Sequence, residues 1–383
     1  MTTYTAENTL VLAKRHHNTK RTYLLVNPLQ AKHIPVSPSE ALSMMTCLGR
    51  QVADNHPKSS LVIGFAETAT AIAAVVSGCF GPQCRYIHTT RETYTGDNSW
   101  LHFNEEHSHA VEQKLCSICL EQWIAQSEEI IFVDDEISTG KTLLNIIEQL
   151  QQAIPSAHNK KFVAASIINR LSPEHEQRFK QANVECEYLV KLQDDDLTEA
   201  VSQFHIHGAN PIVEDSSSFT GEILYPSSPF MDPRLGVTAD AYIKSCRELA
   251  QKLTKELTKR LPKNANILVL GTEECMYPSL ILGQELEKQP DISSVRCHST
   301  TRSPIGICTE NNYPIRSGIQ LHSFYDENRV SYLYNLKKYD AAVIVTDSAH
   351  KDRHALADLE IALRGEGCEQ LLLIEGGTHV QFI

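Results

Sequence analysis

The sequence has little of what marks membrane-spanning, secreted or nucleic-acid-binding proteins. No run of about 18 apolar residues occurs, so we expect no transmembrane helix. The N-terminus has no apolar stretch followed by a small-residue cleavage site, which indicates a non-secreted start. The formal net charge is −12, and this acidic balance argues against a nucleic-acid or anionic-membrane partner. We therefore expect a cytoplasmic protein.

Cysteine is scattered, without the spacing of a disulfide framework or a metal site. The 11 cysteines are odd in number, which is typical of free thiols in a reducing cytoplasm. Cys116 and Cys119 form one C-x-x-C, but a zinc site needs a second ligand pair and a redox pair is typical of a strand-to-helix turn. Because the surrounding stretch VEQKLCSICLEQW is helix-like, we interpret both cysteines as core residues on one helix face.

The chain is long enough for two domains, since 383 residues exceed one typical core. Residues 213–236 are rich in Ser and Pro and predict a linker. We expect domains at 20–208 and 237–383, with the linker at 209–236. In both, short apolar runs alternate with amphipathic segments, which predicts α/β folds with parallel sheets covered by helices.

The predicted elements follow from apolar runs and helical spacing. The predicted strands are 22–26, 60–65, 84–88, 129–133, 161–168, 266–270, 295–299, 341–346 and 370–374. The predicted helices are 38–54, the alanine-rich stretch through Val76, 140–151, 173–181 and 239–260. Residues 94–110 lack periodicity and predict a long loop of the kind that forms lids. Its His102, His107 and His109 lie beside Glu105 and Glu106, which leaves open a metal or acid–base role and a solvated lid.

The two halves show a weak internal repeat. Pairing Gly64 with Gly271, Thr89 with Thr300 and Asp135 with Asp347 gives offsets of 207, 211 and 212 residues. Each glycine ends a strand-like run and precedes a glutamate by three residues. The pattern favours duplication of one α/β unit, with two unrelated α/β domains as the alternative.

The most informative segment is residues 130–142, IIFVDDEISTGKT. A buried strand delivers Asp134 and Asp135 at its carboxyl end, where ligands bind in doubly wound folds. Ionised carboxylates only accept hydrogen bonds, so the pair suits a ribose diol or a hydrated Mg²⁺. The following Ser-Thr-Gly-Lys-Thr offers hydroxyls and backbone N–H groups at a helix N-terminus, which suits phosphate. A P-loop is excluded because Asp135 occupies the position of its first glycine.

This segment resembles the phosphoribosyl pyrophosphate (PRPP) signature of type I phosphoribosyltransferases, over about residues 20–208. The chain is most similar to the orotate phosphoribosyltransferase-like family of tellurite-resistance gene clusters. The second domain of that family is named for a TRSP motif, here Thr301-Arg302-Ser303-Pro304. The resemblance implies a type I phosphoribosyltransferase-like sheet domain followed by a TRSP domain.

The resemblance also implies roles for residues of this sequence. It assigns Asp134 and Asp135 to the ribose hydroxyls and to Mg²⁺, and Arg91 to the pyrophosphate. It assigns a phosphate loop and a pyrophosphate loop to these residues: Ser138, Thr139, Gly140, Lys141 and Thr142 in the first, Ala66, Glu67 and Thr68 in the second. It places residues 94–110 in the hood over the site. Asn27-Pro28 and Lys32-His33 lie where relatives build the nucleobase hood, and we leave acceptor contact and a structural strand end open there.

The implied function is Mg²⁺-dependent transfer of phosphoribose from PRPP to an unknown base-like acceptor, by an enzyme that is a homodimer like the orotate-type enzymes. Many relatives carry Arg or Lys in the pyrophosphate loop, whereas this sequence has Glu67. That departure favours the alternative of a PRPP-sensing regulator without turnover, and an interaction scaffold is a third hypothesis. For the second domain we expect no PRPP site, and leave open whether Arg302 reaches an active site or the domain is an appendage.

Overall fold

Strands and helices alternate along the chain, as the apolar pattern predicts. The computed structural model describes residues 3–18, 21–94, 99–103, 113–212, 218–348 and 354–380. The strands of these residues are β1 (Val11–Lys14), β2 (Tyr23–Val26), β3 (Ser59–Gly64), β4 (Arg85–His88), β5 (Trp100–Phe103), β6 (Gln113–Cys116), β7 (Glu129–Ile137), β8 (Lys161–Asn169), β9 (Val184–Lys191), β10 (Asn210–Pro211), β11 (Glu222–Leu224), β12 (Val237–Thr238), β13 (Ala265–Gly271), β14 (Ile292–Ser299), β15 (Gly318–His322), β16 (Val330–Tyr334), β17 (Ala341–Ser348) and β18 (Gln370–Val380).

The α-helices of the described residues are amphipathic or fully buried. They are α1 (Ala6–Thr9), α2 (Pro38–Asn55), α3 (Thr70–Ser77), α4 (Leu120–Gln126), α5 (Lys141–Ala153), α6 (Pro173–Gln181), α7 (Thr198–Ser202), α8 (Ala239–Leu257), α9 (Tyr277–Glu287) and α10 (His354–Gly365). None of these helices is both long and apolar enough to cross a membrane.

The chain divides into two compact units, each assembled from three segments. Unit 1 comprises Met1–Ala6, Leu42–Asp195 and Met231–Ser245, and unit 2 comprises Glu7–Ala41, Asp196–Phe230 and Cys246–Ile383. The N-terminal hairpin β1–β2 belongs to unit 2, where Arg15 bridges to Ile305 and Val36 bridges to Cys297. The sequence pattern, by contrast, predicts each domain to be one continuous stretch, at 20–208 and at 237–383.

Unit 1 is built on a six-stranded sheet in the order β12-β4-β3-β7-β8-β9. Only the short β12 is antiparallel to its neighbour, and the other pairs are parallel. The central strands β3 and β7 are apolar on both faces and their aliphatic side chains are buried, as expected for parallel strands covered by helices on both sides. Helix α5 contributes Leu143, Ile146, Ile147 and Leu150, spaced along one face, to this core.

Unit 2 has a five-stranded, fully parallel sheet in the order β11-β18-β17-β13-β14. Its core strands β13 and β17 are again apolar runs with almost every side chain buried. A three-stranded sheet, β10-β15-β16, and the hairpin β1–β2 complete the unit. A second small core joins that hairpin to the stretch after the TRSP motif and includes Val26, Ile305, Ile315 and Tyr334.

The two units repeat one topology. The order β4-β3-β7-β8 in unit 1 has the same chain connectivity as β14-β13-β17-β18 in unit 2. In unit 1 the antiparallel hairpin β5–β6 lies in sequence between β4 and β7. In unit 2 the antiparallel hairpin β15–β16 lies in sequence between β14 and β17. Gly64 is opposite His88 and Val133, as Gly271 is opposite Ser299 and Val345. This correspondence supports the internal repeat over two unrelated domains.

Several local predictions are wrong in detail. Cys116 ends strand β6 and Cys119 precedes helix α4, so the two cysteines do not share a helix face. Part of the predicted loop 94–110 is strand β5, because Trp100 and Phe103 pack on the unit 1 core. Strand β7 continues to Ile137, four residues beyond its predicted end, and so carries the two aspartates within it.

Candidate functional site

The adjacent carboxylates Asp134 and Asp135 lie in the second half of β7, at the carboxyl edge of the unit 1 sheet. Asp134 is opposite Ser166 of β8, so the strand is still paired at this point. Both side chains are partly buried. Successive side chains of a strand point to opposite faces, which places one carboxylate on each side of the sheet edge.

The electrostatics of this pair favour a bound cation or a hydrogen-bond donor. The backbone N–H of Asp135 donates to Asp134 Oδ1 at 2.9 Å. Burial, followed by the negative charge of Asp135, holds the pKa of Asp134 well above its ordinary value. Ionising both carboxylates is costly because two negative charges then lie close together. A divalent cation or a diol that donates to the carboxylates removes this cost, so the donor set fits Mg²⁺.

A protein-only metal cage is not present in the described part of the chain. No group of three or more His, Cys, Asp or Glu side chains there is arranged to hold a metal ion. Mg²⁺ commonly keeps several waters and binds through one or two carboxylates together with substrate phosphates. The pair therefore fits a magnesium ion that arrives with a phosphorylated ligand.

Arg170 is a site residue that the sequence reasoning missed. It follows β8, is 1% exposed, and its backbone N–H donates to the Ile137 carbonyl at 2.7 Å. Its guanidinium lies 3.4 Å from Glu136 Oε1 and donates to the Asp195 carbonyl at 2.6 Å. The buried cation thus fixes the acid that follows the aspartate pair. The sequence signal that could have identified Arg170 is its position as a lone arginine directly after a nine-residue apolar strand.

The predicted phosphate loop forms a turn into helix α5. Gly140 has φ +66°, which is left-handed backbone, and helix α5 starts at Lys141. A Cβ at Gly140 would lie 2.2 Å from Phe179 Cε2, so this position excludes a side chain. Lys141 and Thr142 are exposed, while Ser138 and Thr139 are partly buried. The Lys141 N–H donates to Thr139 Oγ1 at 3.5 Å, and the first N–H groups of this 13-residue helix have no carbonyl of a preceding turn as acceptor, which suits an anion.

The predicted pyrophosphate loop lies between β3 and α3, beside β7 in the sheet. The Phe65 N–H donates to the Val133 carbonyl at 3.0 Å, and the Ala66 N–H donates to Thr89 Oγ1 at 2.9 Å. The Ala66–Glu67 peptide bond is cis. Glu67 is buried, at 8% exposure, and Thr68 is partly buried. Pairing of β3 with β7 brings this loop to the same sheet edge as the aspartates.

Arg91 and the hairpin β5–β6 follow the neighbouring strand β4. Arg91 is partly buried, and Thr90 just before it bridges to Lys114 of β6. The Lys114 ammonium lies 4.8 Å from the Trp100 ring centroid. Of the histidines predicted in the lid, His102 is exposed on β5, whereas His107, His109, Glu105 and Glu106 lie outside the described residues.

The N-terminal residues considered for acceptor contact lie in unit 2. Lys32 is 1% exposed there, and its ammonium donates to the carbonyls of Glu273 and Thr300 at 2.7 and 2.8 Å. Asn27 is also buried, and its Oδ1 accepts from the Leu29 N–H. These contacts agree with the structural interpretation of this segment.

In unit 2 the corresponding sheet edge is filled by ion pairs. Arg302 of the TRSP motif lies 3.1 Å from Glu274 Oε1, and Arg329 lies 3.0 Å from Glu273 Oε2. Both glutamates are fully buried in the loop after β13. Both of these glutamates, which Arg302 contacts, belong to its own unit. Opposite charges cancel at this edge, unlike the acidic pair of unit 1.

Comparison with solved structures returns phosphoribosyltransferases at low identity. Adenine phosphoribosyltransferase from Rhodothermus marinus is 12% identical with a TM-score of 0.34, covering 49% of this chain and 96% of that one. Orotate phosphoribosyltransferase from Aeropyrum pernix is 16% identical with a TM-score of 0.27, covering 40% and 72%. The Trypanosoma brucei adenine enzyme, in complex with AMP, pyrophosphate and ribose-5-phosphate, is 13% identical with a TM-score of 0.34, covering 50% and 80%.

Family models match most of the chain, whereas no curated protein matches it significantly. Residues 10–194 match a phosphoribosyl transferase family, and residues 232–362 match the TRSP domain found C-terminal to it. The first match contains both loops and the aspartate pair, and the second contains the TRSP tetrapeptide. The chain therefore belongs to the phosphoribosyl transferase enzyme family whose members carry a C-terminal TRSP domain.

Proposed function

We propose that this enzyme transfers phosphoribose from PRPP to a base-like acceptor with the help of Mg²⁺, as a step in making a nucleoside-like metabolite. The observation that carries the proposal is the Asp134–Asp135 pair together with Gly140, which lies five positions after Asp135, has left-handed backbone and precedes the start of α5. Diol recognition, cation binding and phosphate binding are then available at one sheet edge. The acceptor class and the link to tellurite-resistance clusters rest on the family resemblance.

In the proposed reaction a nucleophile of the acceptor forms a bond to ribose C1 while the bond from C1 to pyrophosphate breaks. The electron pair of that bond leaves with the pyrophosphate. Asp134 and Asp135 hold the ribose hydroxyls, and residues 138–142 hold the 5′-phosphate through N–H groups and hydroxyls. Orientation and charge stabilisation provide the rate enhancement. Mg²⁺, when bound, neutralises charge that develops on the pyrophosphate oxygens.

At the leaving group the chain offers the N–H groups of Glu67 and Thr68, the Thr68 hydroxyl and the charge of Arg91. Ala66 is held by Thr89, so its own N–H is already used. The loop thereby has a fixed shape before a ligand arrives, which reduces the entropy cost of binding. We propose a homodimer, as in the orotate-type enzymes that the sequence resembles.

One observation favours a second function, a PRPP-binding regulator without turnover. Glu67 is a buried acid in the pyrophosphate loop, where a negative charge opposes a pyrophosphate anion. Binding without pyrophosphate release would identify the regulator. Binding with release, once a base acceptor is added, would identify the transferase.

The test is calorimetric titration of PRPP with Mg²⁺ into the wild type and into the double variant Asp134→Asn with Asp135→Asn. The control is Glu121→Gln with Glu148→Gln, which removes the same charge from helices of unit 1. We expect binding by the wild type and the control, and a loss of at least about tenfold in the aspartate variant, since one tenfold step corresponds to about 1.4 kcal/mol. Equal binding by all three proteins would refute the assigned site, and no binding by the wild type would refute the proposal.

A further inference from the structure

A second concave site lies wholly within unit 2, in a part of the sheet that the proposed reaction does not use. Its volume is about 530 Å³, within the range of small-molecule sites. Arg296, Arg316, Lys337 and Lys338 line it together with Asn335 and Tyr339. No Asp or Glu is among its lining residues.

The pocket lies at the amino edge of the unit 2 sheet. Most of its residues belong to the beginning of β13, to Ser294 and Arg296 of β14 and to the stretch that directly precedes β17. The loops that correspond to the proposed PRPP site follow the carboxyl ends of these same strands. The pocket is therefore not the repeat's counterpart of the PRPP site, and its argument does not depend on the proposed function.

Apart from the ion pair between Arg296 and Glu40, its positive charge is not offset by acids among the described residues. Lys337 and Lys338 form no hydrogen bond or ion pair with the described residues, and the Arg316 guanidinium donates to the uncharged Thr309 carbonyl at 2.7 Å. The Arg296 guanidinium lies 3.8 Å from Glu40, beyond hydrogen-bond distance. Such a concentration of cations is unexpected in a chain with a formal net charge of −12.

Two other acids near the pocket are engaged by neutral groups. Asp340 Oδ2 accepts from the backbone N–H and the side-chain amide of Asn266, at 2.7 and 3.3 Å. Glu287 accepts from the hydroxyl of Ser37 at 2.7 Å and from that of Ser39. These bonds engage both carboxylates, and among the described contacts neither acid forms an ion pair with Arg316, Lys337 or Lys338.

The walls of the pocket are fixed by buried groups. Asn335, in left-handed backbone, accepts from the Arg316 N–H at 2.8 Å and donates to the Pro314 carbonyl at 2.7 Å. Tyr339 is buried, and its burial raises the pKa of the phenol to about 12, so it is a neutral ring. Pro35 and Pro314 add apolar surface. The site thus combines a charged side with an apolar side.

We propose that this pocket binds a nucleoside diphosphate or triphosphate, with the phosphates among the four cations and the base or sugar against the apolar wall. Four positive charges match two or more phosphate groups, and guanidinium groups bind phosphate oxygens in pairs. A single phosphate would leave most of the charge unmatched. The TRSP unit then senses or stores a nucleotide at a site separate from PRPP.

The test uses the full chain and calorimetric titration with ADP, ATP and inorganic tripolyphosphate, in the absence of PRPP. The variant is Lys337→Gln with Lys338→Gln, both exposed and without a described partner. The control is Lys252→Gln with Lys255→Gln, two exposed lysines of helix α8. We expect ADP or ATP to bind the wild type and the control, and to bind the pocket variant at least about tenfold more weakly, with PRPP binding unchanged.

Four results would overturn the proposal. Absence of binding by all three polyphosphates would remove the site, and equal binding by the pocket variant would place it elsewhere. Tighter binding of a short duplex DNA than of ATP, lost in the pocket variant, would assign the surface to nucleic acid instead. The aspartate variant of unit 1 must retain ADP binding, because failure there would mean that ADP had occupied the PRPP site.

Discussion

Thr89 and Thr300 make the same pair of hydrogen bonds in the two units. The Thr89 N–H donates to the Gly64 carbonyl at 2.9 Å, while its Oγ1 accepts from the Ala66 N–H at 2.9 Å. The Thr300 N–H donates to the Gly271 carbonyl at 3.1 Å, while its Oγ1 accepts from the Glu273 N–H at 3.0 Å. Each threonine therefore fixes the loop that follows the central strand of its own sheet.

Replacing Thr89 with valine should destabilise the protein and weaken PRPP binding together. The change leaves the buried Ala66 N–H without its acceptor and Gln113 without its donor, a cost of about 1–3 kcal/mol. Thr300→Val is the matched control, because it should cost similar stability while leaving PRPP binding unchanged. Urea unfolding and calorimetry measure the two effects. Equal loss of PRPP affinity in both variants would separate Thr89 from the ligand loop.

Gly140→Ala should abolish the phosphate loop's shape. A Cβ at φ +66° is strained, and it would lie 2.2 Å from the buried Phe179 ring. We expect a stability loss of about 1–3 kcal/mol and PRPP binding at least tenfold weaker. Gly81→Ala is the control, since no atom lies within 4 Å of its Cβ position. Wild-type affinity in Gly140→Ala would show that the turn does not bind phosphate.

Asp134→Asn should raise stability at neutral pH while it removes PRPP binding. Burial and the charge of Asp135 raise the pKa of Asp134 in the folded state, so its ionisation costs folding free energy. This cost is absent when the pH is below the ordinary pKa of the carboxyl. It develops as the pH rises from that value through the raised pKa of the folded state. The variant should therefore exceed the wild type in Tm at pH 7 and approach it at pH 3. A lower Tm at pH 7 would contradict this account.

Unit 2 should lose stability in mild acid through His298. Its Nε2 lies 2.7 Å from the Tyr334 carbonyl, and burial lowers the pKa of the ring from 6.5 to about 4. The unfolded chain thus binds a proton near pH 6.5, before the folded chain does. The free energy of unfolding should fall by up to about 3 kcal/mol as the pH drops from 6.5 to 4.

The variant His298→Gln keeps an amide donor and cannot take up this proton. Urea unfolding across pH 4 to 7 should show a shallower decline than in the wild type. Parallel curves for the two proteins would assign the acid sensitivity to other groups.

Arg170→Met should be among the most destabilising substitutions in unit 1. The change leaves the Glu136 carboxylate without its buried cation, and loss of one partner of a buried pair costs about 3–5 kcal/mol. Arg178→Met is the comparison, because its pair with Glu174 is exposed and is worth less than about 1 kcal/mol. Chemical unfolding of both variants checks the difference, and equal losses would show that the buried pair of Arg170 with Glu136 adds no more stability than an exposed pair.

The elements that sequence patterns predicted best are the buried parallel strands. Strands β3 and β13 were placed to within one residue at each end, because a run of apolar residues before a glycine has few other structures. Helix α9 was missed because almost all of its side chains are buried and no polar face gives a helical period. Hairpin β5–β6 was missed because its strands are short and flanked by polar residues.

The site was predictable where neighbours in sequence are neighbours in space. Asp134, Asp135 and Gly140 lie within seven residues, so their motif could be recognised in the sequence. Arg170 and Thr89 reach the same sheet edge through strand pairing, and a single sequence does not display such pairing. The assignment of Glu7–Ala41 to unit 2 depends likewise on distant partners such as Cys297, which pairs with Val36.

The interleaving of the two units has a consequence for synthesis on the ribosome. Residues Glu7–Ala41 emerge first but belong to a unit whose main segment is Cys246–Ile383. Domains commonly fold as they are translated, in order from the N-terminus. Here the earliest segment must wait while roughly two hundred further residues are made, about 10 to 40 seconds at 5 to 20 residues per second. Most of that interval passes before Asp196–Phe230, the next segment of its own unit, is complete, and it is then that a chaperone would be needed to cover the apolar side of the first hairpin.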